Sequence, residues 1–437
     1  MPADAYSAPD GLWRAPVAPG PLDARVRLPG SKSLTNRELV LSALATGPSR
    51  LVRPLAARDT DLMVAALRAL GARIEPDGED LVVEPGPLRG GTAVDVGLAG
   101  TLMRFLPPVA ALADGAVRFD GDERARERPM ATTIRALRDL GVPVDDDGRD
   151  ALPFAVGGAG GVRGGAVRID ASASSQFVSG LLLAGARYDD GLVVEHRGQR
   201  LPSVPHVEMT LDVLRRRGVT VDAEVAGATG RWTVAPGAIA GRDVVIEPDL
   251  SNAAPFLAAA LVAGGRVSVP DWPSTTTQVG DRLRDWLAAF GGEVALHGGS
   301  LAVEGPGVAH GPLHPVDLDL SEGGELAPTL VGLAAFADGT STFHGIGHLR
   351  GHETDRLAAL VAELGNVGVA AEETEDGIVV RGGSPAAGRP WRSHADHRMA
   401  TTGALIGLAV PGVEVEDVAS TAKTLPGFTE LWARMLP

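Results

Sequence analysis

Cysteine is absent from the 437-residue chain. That excludes disulfides, thiolate metal sites and a cysteine nucleophile together. Positive charge is in the minority, with 40 Lys+Arg against 55 Asp+Glu and a net charge of −15. No non-specific nucleic-acid partner is expected, and any anion site must be a local cationic pocket. No apolar stretch is long enough to span a bilayer, because glycine, proline and charge interrupt the alanine-rich segments. The start, Met1-Pro2-Ala3-Asp4-Ala5, lacks a basic region followed by an apolar run, so no signal peptide is expected. A soluble, cytoplasmic protein without membrane partners is the resulting expectation. Hydrophobic residues, at 44%, are enough for sizeable cores. The length exceeds one ordinary core, so two domains or a repeat array are expected.

Residues 1–22 are rich in proline and alanine and are expected to lie loosely on the surface. Beyond them two patterns recur. One is an apolar, alanine-rich helix with a polar start, at Thr35-Asn36-Arg37, Gly100-Thr101, Ser174-Ser175-Gln176, Ser251-Asn252, Glu325-Leu326 and His397-Arg398. The spacing is roughly 70 residues, which marks one structural unit used repeatedly. The other is an amphipathic helix closing on Gly71, Gly141, Gly218, Gly291 or Gly365, where a C-cap favours a left-handed residue. The first set is apolar almost all round and should be buried. The second has one wet face and should lie outside. Six units divide naturally into two domains of three, residues 29–247 and residues 1–28 plus 248–437, with hinges at about 28–30 and 247–249. The strand-like run Ala24-Arg25-Val26-Arg27-Leu28 would complete the second domain. If the buried helices run parallel, their positive ends face one cleft and collect anions even on an acidic protein.

The most telling stretch is Pro29-Gly30-Ser31-Lys32-Ser33-Leu34-Thr35-Asn36-Arg37, a break between a strand and a buried helix expected over Glu38–Ala45. Free N–H groups at a helix start, with Lys32 and Arg37, make an anion site. The glycine spacing of a nucleotide P-loop is missing. At the second start Gly100 permits close approach to the backbone, and Arg104 reaches back from one turn inside. In Gly121-Asp122-Glu123-Arg124-Ala125-Arg126-Glu127-Arg128, either Arg124 or Arg128 suits bidentate oxyanion binding. Ser174, Ser175, Gln176 and Ser203 suit a phosphate ester or polyol. Glu353 and Arg356 share a face if helical, and a glutamate among cations serves general acid–base chemistry. Asp396, His397, Arg398 and Lys423 add further charge. His344, His348 and His352 have the spacing of a zinc site, but Gly345, Gly347 and Gly351 disfavour a helix there, and a strand and loop are expected.

These motifs, in this order, resemble the 5-enolpyruvylshikimate-3-phosphate synthase (3-phosphoshikimate 1-carboxyvinyltransferase) family. The resemblance runs from about Ala24 to the C-terminus and rests on Pro29-Gly-Ser-Lys-Ser, Asn36-Arg37, Ala99-Gly-Thr with Arg104, Ser174-Ser-Gln, Glu353-Thr-Asp-Arg, Asp396-His-Arg-Met and Thr421-Ala-Lys-Thr. It implies an α/β (α+β) two-domain enolpyruvyl transferase fold of six βαβαββ-type units. It also implies transfer of the carboxyvinyl group of phosphoenolpyruvate to the 5-hydroxyl of shikimate 3-phosphate, with no metal or organic cofactor. Glu325, Glu353 and Lys32 would be catalytic. Lys32, Gly100, Arg104, Arg124, Gln176, Arg356, Arg398 and Lys423 would hold phosphoenolpyruvate. Lys32, Ser33, Arg37, Ser174, Ser175, Gln176, Ser203, Glu325 and His352 would hold shikimate 3-phosphate. A monomer inhibited by glyphosate is the further implication. The chain departs from the common pattern at Leu98, Glu325 (one methylene longer than the usual aspartate), His206, His348 and His352. The related transferase acting on UDP-N-acetylglucosamine is disfavoured because it typically uses a loop cysteine.

Overall fold

The computed structural model describes residues 11–437, which form two compact units: Gly30–Ile246, and the chain up to Pro29 together with Glu247–Pro437. Each has its own hydrophobic core. Residues 1–10 lie outside the described residues.

Twelve α-helices alternate in role along the described chain. The buried ones are α1 (Lys32–Ala43), α3 (Gly100–Ala110), α5 (Gln176–Gly185), α7 (Ala254–Ala263), α9 (Ala327–Ala334) and α11 (His397–Gly407). Between them lie the amphipathic α2 (Arg58–Ala69), α4 (Ala131–Asp139), α6 (Val204–Arg216), α8 (Leu283–Ala289), α10 (Arg356–Asn366) and α12 (Phe428–Met435). In α7, Ala254 to Val262 are all buried, as its lack of any polar face requires. Pro107 and Pro108 inside α3 remove N–H donors to the carbonyls four residues back. Gly180 of α5 packs on the Arg104 carbonyl, 2.1 Å from where a Cβ would stand, so only glycine lets α5 approach α3 so closely.

Each pair of helices packs on a small sheet, six sheets in all among the described residues. In the second, Thr92–Asp95 runs parallel to Asp114–Asp120, which pairs antiparallel with Phe154–Ala159, which in turn pairs with Val144–Asp145. Three sheets borrow a strand. Val244–Val245 supplies the parallel strand beside Ser49–Val52, and Leu22–Arg25 supplies the one beside Gly265–Pro270. Leu12–Arg14 completes the last sheet against Glu414–Glu416. Residues 11–22 are therefore not loose: Trp13 and Leu22 are buried, and the ring of Trp13 meets Phe428 edge-on. The Pro/Ala-rich run hid Leu12–Arg14, which is only three residues long, while the strand expected over Ala24–Leu28 forms slightly earlier, at Leu22–Arg25.

Two further details differ from expectation. The helix after Gly30 begins at Lys32 and not at Glu38, with Ser31 as its cap (Leu34 N–H to Ser31 Oγ, 3.4 Å). Lys32, Asn36 and Arg37 are thus helical. Gly365 lies inside α10, and Gly368, at φ 79°, takes the left-handed position after it.

Behind α1 lies an ion pair absent from the sequence reading. Arg217 has no exposed side-chain surface and donates to Glu38 from Nε (2.8 Å) and Nη2 (2.6 Å), to Ser42 and Ser49 hydroxyls and to the Ala240 carbonyl. Removing one partner leaves a buried charge uncompensated. Arg217→Met is expected to cost about 3–5 kcal/mol in urea unfolding, and adding Glu38→Gln should recover part of that loss.

Candidate active site

In the unit Gly30–Ile246, the starts of α1, α3 and α5 carry the polar groups. Lys32 Nζ lies 3.2 Å from Asp59 Oδ2, with the Asp59 side chain only 6% exposed. Asn36 donates to Thr101 Oγ1 (2.7 Å), tying α1 to α3. Arg37 is wholly buried and donates to Thr210 Oγ1 (2.8 Å), the Ser33 and His206 carbonyls (2.9 Å each), Gln176 Oε1 (3.2 Å) and Ser179 Oγ (3.3 Å). Burial pulls its pKa down to about 9. Ser174 Oγ accepts from the Gln176 N–H (3.3 Å), and Ser203 sits at φ 52° just before α6. The N-cap residues of α3 and α5, Ala99 and Ser175, make no side-chain cap bond, and in α5 the Ser174 hydroxyl meets the first N–H instead.

Beside Gly100 stand two guanidinium groups. A Cβ there would lie 3.1 Å from Arg128 Nη2 and 3.6 Å from Arg104 Nη1. Arg128 donates to the Leu98 carbonyl (2.9 Å), and Arg104 to the Pro129 carbonyl (3.3 Å). Burial, then the Arg128 charge, holds Arg104 well below its usual pKa. An anion placed there would relieve both.

In the other unit, α10 and α11 start beside each other. Asp396 caps α11 through the Arg398 N–H (2.9 Å) and grips Arg356 at Nε (2.7 Å) and Nη2 (3.3 Å). Arg356 Nη1 also lies 3.2 Å from His352 Nδ1. Burial would lower the Arg356 pKa, but the charges of Asp396, Glu353 and Glu325 raise it. Glu353 pairs with Lys423 Nζ and faces His397 Nδ1 at 3.3 Å. Burial opposes its ionisation, yet Lys423 above all holds it well below the usual carboxylate range. His397 is pushed down to about 4 by burial, against the pull of Glu353. It is therefore neutral at pH 7, and its Nδ1–H donates to Glu353. Glu325 lies in the 3-10 turn Gly324–Leu326 that opens α9, and its charge and that of Asp249 reach Arg398, whose pKa burial and Arg356 depress.

A match to the family model described as EPSP synthase (3-phosphoshikimate 1-carboxyvinyltransferase) covers residues 17–432. The 3-phosphoshikimate 1-carboxyvinyltransferase of Kocuria rhizophila is 54% identical over 98% of this chain and 97% of its own. The chain belongs to the EPSP synthase family. The fold agrees: an EPSP synthase from Acinetobacter baumannii superposes with a TM-score of 0.76 at 24% identity, over 96% of this chain and 97% of that one. The enolpyruvyl transferase NikO from Streptomyces tendae gives 0.73 at 21% identity, over 96% of each chain.

Against that family frame, the structure rearranges several expected residues. Arg124 is half exposed and lies 3.8 Å from Glu127 in the 3-10 helix Glu123–Glu127. A period of three puts 124 and 127 on one edge and the buried Ala125 and Arg128 on another. Arg128, rather than Arg124, thus meets Gly100. Arg37, expected on the ligand, shows no surface and stands behind Gln176. Glu353 precedes α10, whose cap is Asp355 (Ala358 N–H to Asp355 Oδ1, 3.1 Å), so it does not share a helix face with Arg356; their charges nonetheless interact. His344 ends a strand, while His348 and His352 pack edge to face with centroids 5.5 Å apart. Among the described residues the histidine-and-carboxylate group able to converge on a metal is instead Glu353, Asp396 and His397, and Lys423 and Arg356 already neutralise it.

One signal in the sequence went unused. Lys32 and Lys423 are the only lysines in the chain, and both sit against buried carboxylates at these helix starts.

His397 yields a pH prediction. Its folded pKa of about 4 lies below the ordinary 6.5, so the unfolded chain binds more protons between those values. Stability contributed by neutral His397 is complete above pH 6.5 and is lost as pH falls toward 4. His397→Asn should flatten that part of the fall in thermal midpoint, measured by calorimetry from pH 7.5 to 4.5.

Proposed function

We infer that the chain transfers the carboxyvinyl group of phosphoenolpyruvate to the 5-hydroxyl of shikimate 3-phosphate, releasing phosphate, in the shikimate route to aromatic amino acids. The carrying observation is the buried network Lys423–Glu353–His397 beside Arg356–Asp396, at the starts of α10 and α11. It concentrates cations, which suits a substrate with both a phosphate and a carboxylate, and it holds one carboxylate ready to carry a proton.

The 5-hydroxyl gives its proton to a base and adds to C2 of phosphoenolpyruvate while C3 takes a proton from an acid; the tetrahedral intermediate then loses a proton from C3 as the bond from C2 to the phosphate oxygen breaks, re-forming the double bond and releasing phosphate. Arg356, Arg398 and Lys423 hold phosphoenolpyruvate, with Lys32, Gly100, Arg104 and Gln176, and Arg128 supports Arg104 in place of the half-exposed Arg124. Ser33, Ser174, Ser175, Gln176 and Ser203 hold shikimate 3-phosphate, with Glu325 and His352. Arg37 acts behind them by orienting Gln176 and Ser33. Glu325, Glu353 and Lys32 move the protons. At rest Glu353 is a carboxylate held by Lys423. When the anions of phosphoenolpyruvate draw on the charge of Lys423, that hold weakens, the Glu353 pKa rises, and Glu353 can take up and return a proton. This is a switch from stabiliser to acid–base group of the kind worth roughly 10²–10⁴ in rate. The protein acts as a cytoplasmic monomer, and glyphosate competes for the phosphoenolpyruvate place, where the bare Cα of Gly100 leaves room.

The test is phosphate release from phosphoenolpyruvate with and without shikimate 3-phosphate, in chelator. Release is expected only with both substrates and at a rate the chelator leaves unchanged; release from phosphoenolpyruvate alone, or its loss on chelation, would sink the reading. Lys423→Arg offers a sharper probe. Its charge is kept, but a planar fork replaces the compact ammonium on Glu353. We expect kcat/KM for phosphoenolpyruvate to fall at least about 100-fold, with the thermal midpoint little changed.

A further inference from the structure

The segment leading into α11 is held by a carboxylate to which the reaction gives no part. Glu363 lies on α10 seven residues after Arg356, so the two project from one face of that helix. Its side chain has no exposed surface. One carboxylate oxygen accepts from His394 Nε2 (2.8 Å) and Arg392 Nε (3.2 Å). The other accepts from the Arg392 backbone N–H (3.1 Å) and the Asn366 amide (2.8 Å). Burial disfavours the ionised carboxyl, but these donors, His394 first, hold its pKa below the usual range.

What Glu363 holds is strained. His394 and Ala395 are consecutive, neither is glycine, and both lie in the left-handed region at φ 52° and 55°. Ser393 Oγ accepts from the Ala395 N–H (3.2 Å) and lies 3.4 Å from Asp417. The next residues are Asp396, which grips Arg356, His397, which meets Glu353, and Arg398. The same face of α10 therefore clamps this strap twice, through Arg356 to Asp396 and through Glu363 to residues 392 and 394. Such a turn persists only where its surroundings over-determine it.

We propose that Glu363, through His394 and Arg392, is a positioning residue for phosphoenolpyruvate: it holds the turn 393–395 that aims the start of α11, and so places Arg398 and the Asp396–Arg356 pair. The inference rests on the assignment of Arg356 and Arg398 to phosphoenolpyruvate. Glu363 itself touches no substrate.

The experiment measures kcat and both KM values for Glu363→Gln, His394→Gln, Arg398→Gln and the double variant Glu363→Gln with Ala395→Gly. Glu363→Gln is expected to raise KM for phosphoenolpyruvate about tenfold, with KM for shikimate 3-phosphate and kcat within about threefold. Glycine adopts the left-handed conformation without steric cost, so Ala395→Gly should bring KM back at least half-way on a logarithmic scale. A merely structural Glu363 would lower the thermal midpoint and active fraction without that split or that rescue, and this result overturns the proposal. Should Glu363→Gln fail to fold, His394→Gln, at a side chain 24% exposed, carries the test: a KM for phosphoenolpyruvate unchanged within about twofold rejects the proposal, and a selective rise supports it. Arg398→Gln separates the two levels. If it raises KM for phosphoenolpyruvate while Glu363→Gln does not, the strap alone is refuted; if it leaves that KM unchanged, the substrate assignment falls and the proposal with it.

Discussion

A helix buried along most of its length must still find partners for its first N–H groups, because the helix itself supplies no acceptors for them. This chain buries six such helices. At α1 and α11 the side chains of Ser31 and Asp396 accept from those groups, whereas the N-cap residues of α3, α5 and α9 make no such bond. Cations brought to such ends need compensation of their own once desolvated. The structure provides it from within: Lys32 on Asp59, Lys423 on Glu353, Arg356 on Asp396. Each of these clusters is therefore self-neutralised at rest. In the proposed function a substrate anion competes with carboxylates already in place but meets cations already largely buried and aimed, which is how preorganised electrostatics lowers a barrier without reorganisation at the moment of reaction.

Much of this was legible in the residues because repetition amplifies a weak signal. One alanine-rich helix with a polar start says little, whereas six at a similar spacing, alternating with helices closed by Gly71, Gly141, Gly218 and Gly291, give a unit and its count. Two of the three strand exchanges were not legible. Leu12–Arg14 and Val244–Val245 are too short to show alternation, and their partners lie far away in sequence; Leu22–Arg25 alone left a trace, as the alternating run read over Ala24–Leu28. Long-range pairing of this kind is decided by which sheet edge remains open, and no local pattern records that.

The candidate site was legible to the level of motif, not of contact. Motif matching named Arg37 and Arg124, and the structure buries the first and half exposes the second. Burial depends on what other helices bring. Arg37 is enclosed by Thr210, Gln176 and Ser179, which lie on α5 and α6. The edge of the 3-10 helix that faces Gly100 depends on where that helix begins, and a shift of one residue exchanges Arg124 for Arg128. Glu363 escaped notice for a further reason: in sequence it is one more acid in a wet-faced helix, and only the left-handed turn at His394 and Ala395 gives it work.

The two lysines sharpen the same point. Wherever this chain needs a cation elsewhere it uses arginine, including at buried places such as Arg217 and Arg37. Arginine suits those roles because its planar fork fixes several acceptors at once and, even where burial lowers its pKa, it keeps its proton at neutral pH. Neither property serves a group that, in the proposed function, passes between a carboxylate of the protein and an anion of the substrate. An ammonium is compact, rotates freely about its last bond and offers donors in any direction. Lys32 and Lys423 each sit on a buried carboxylate that would be left uncompensated if a rigid fork could not turn from it to the ligand and back. Lysine at these two places suits the exchange of partners that the proposed function asks of them: stability alone could be met by arginine, and that exchange could not.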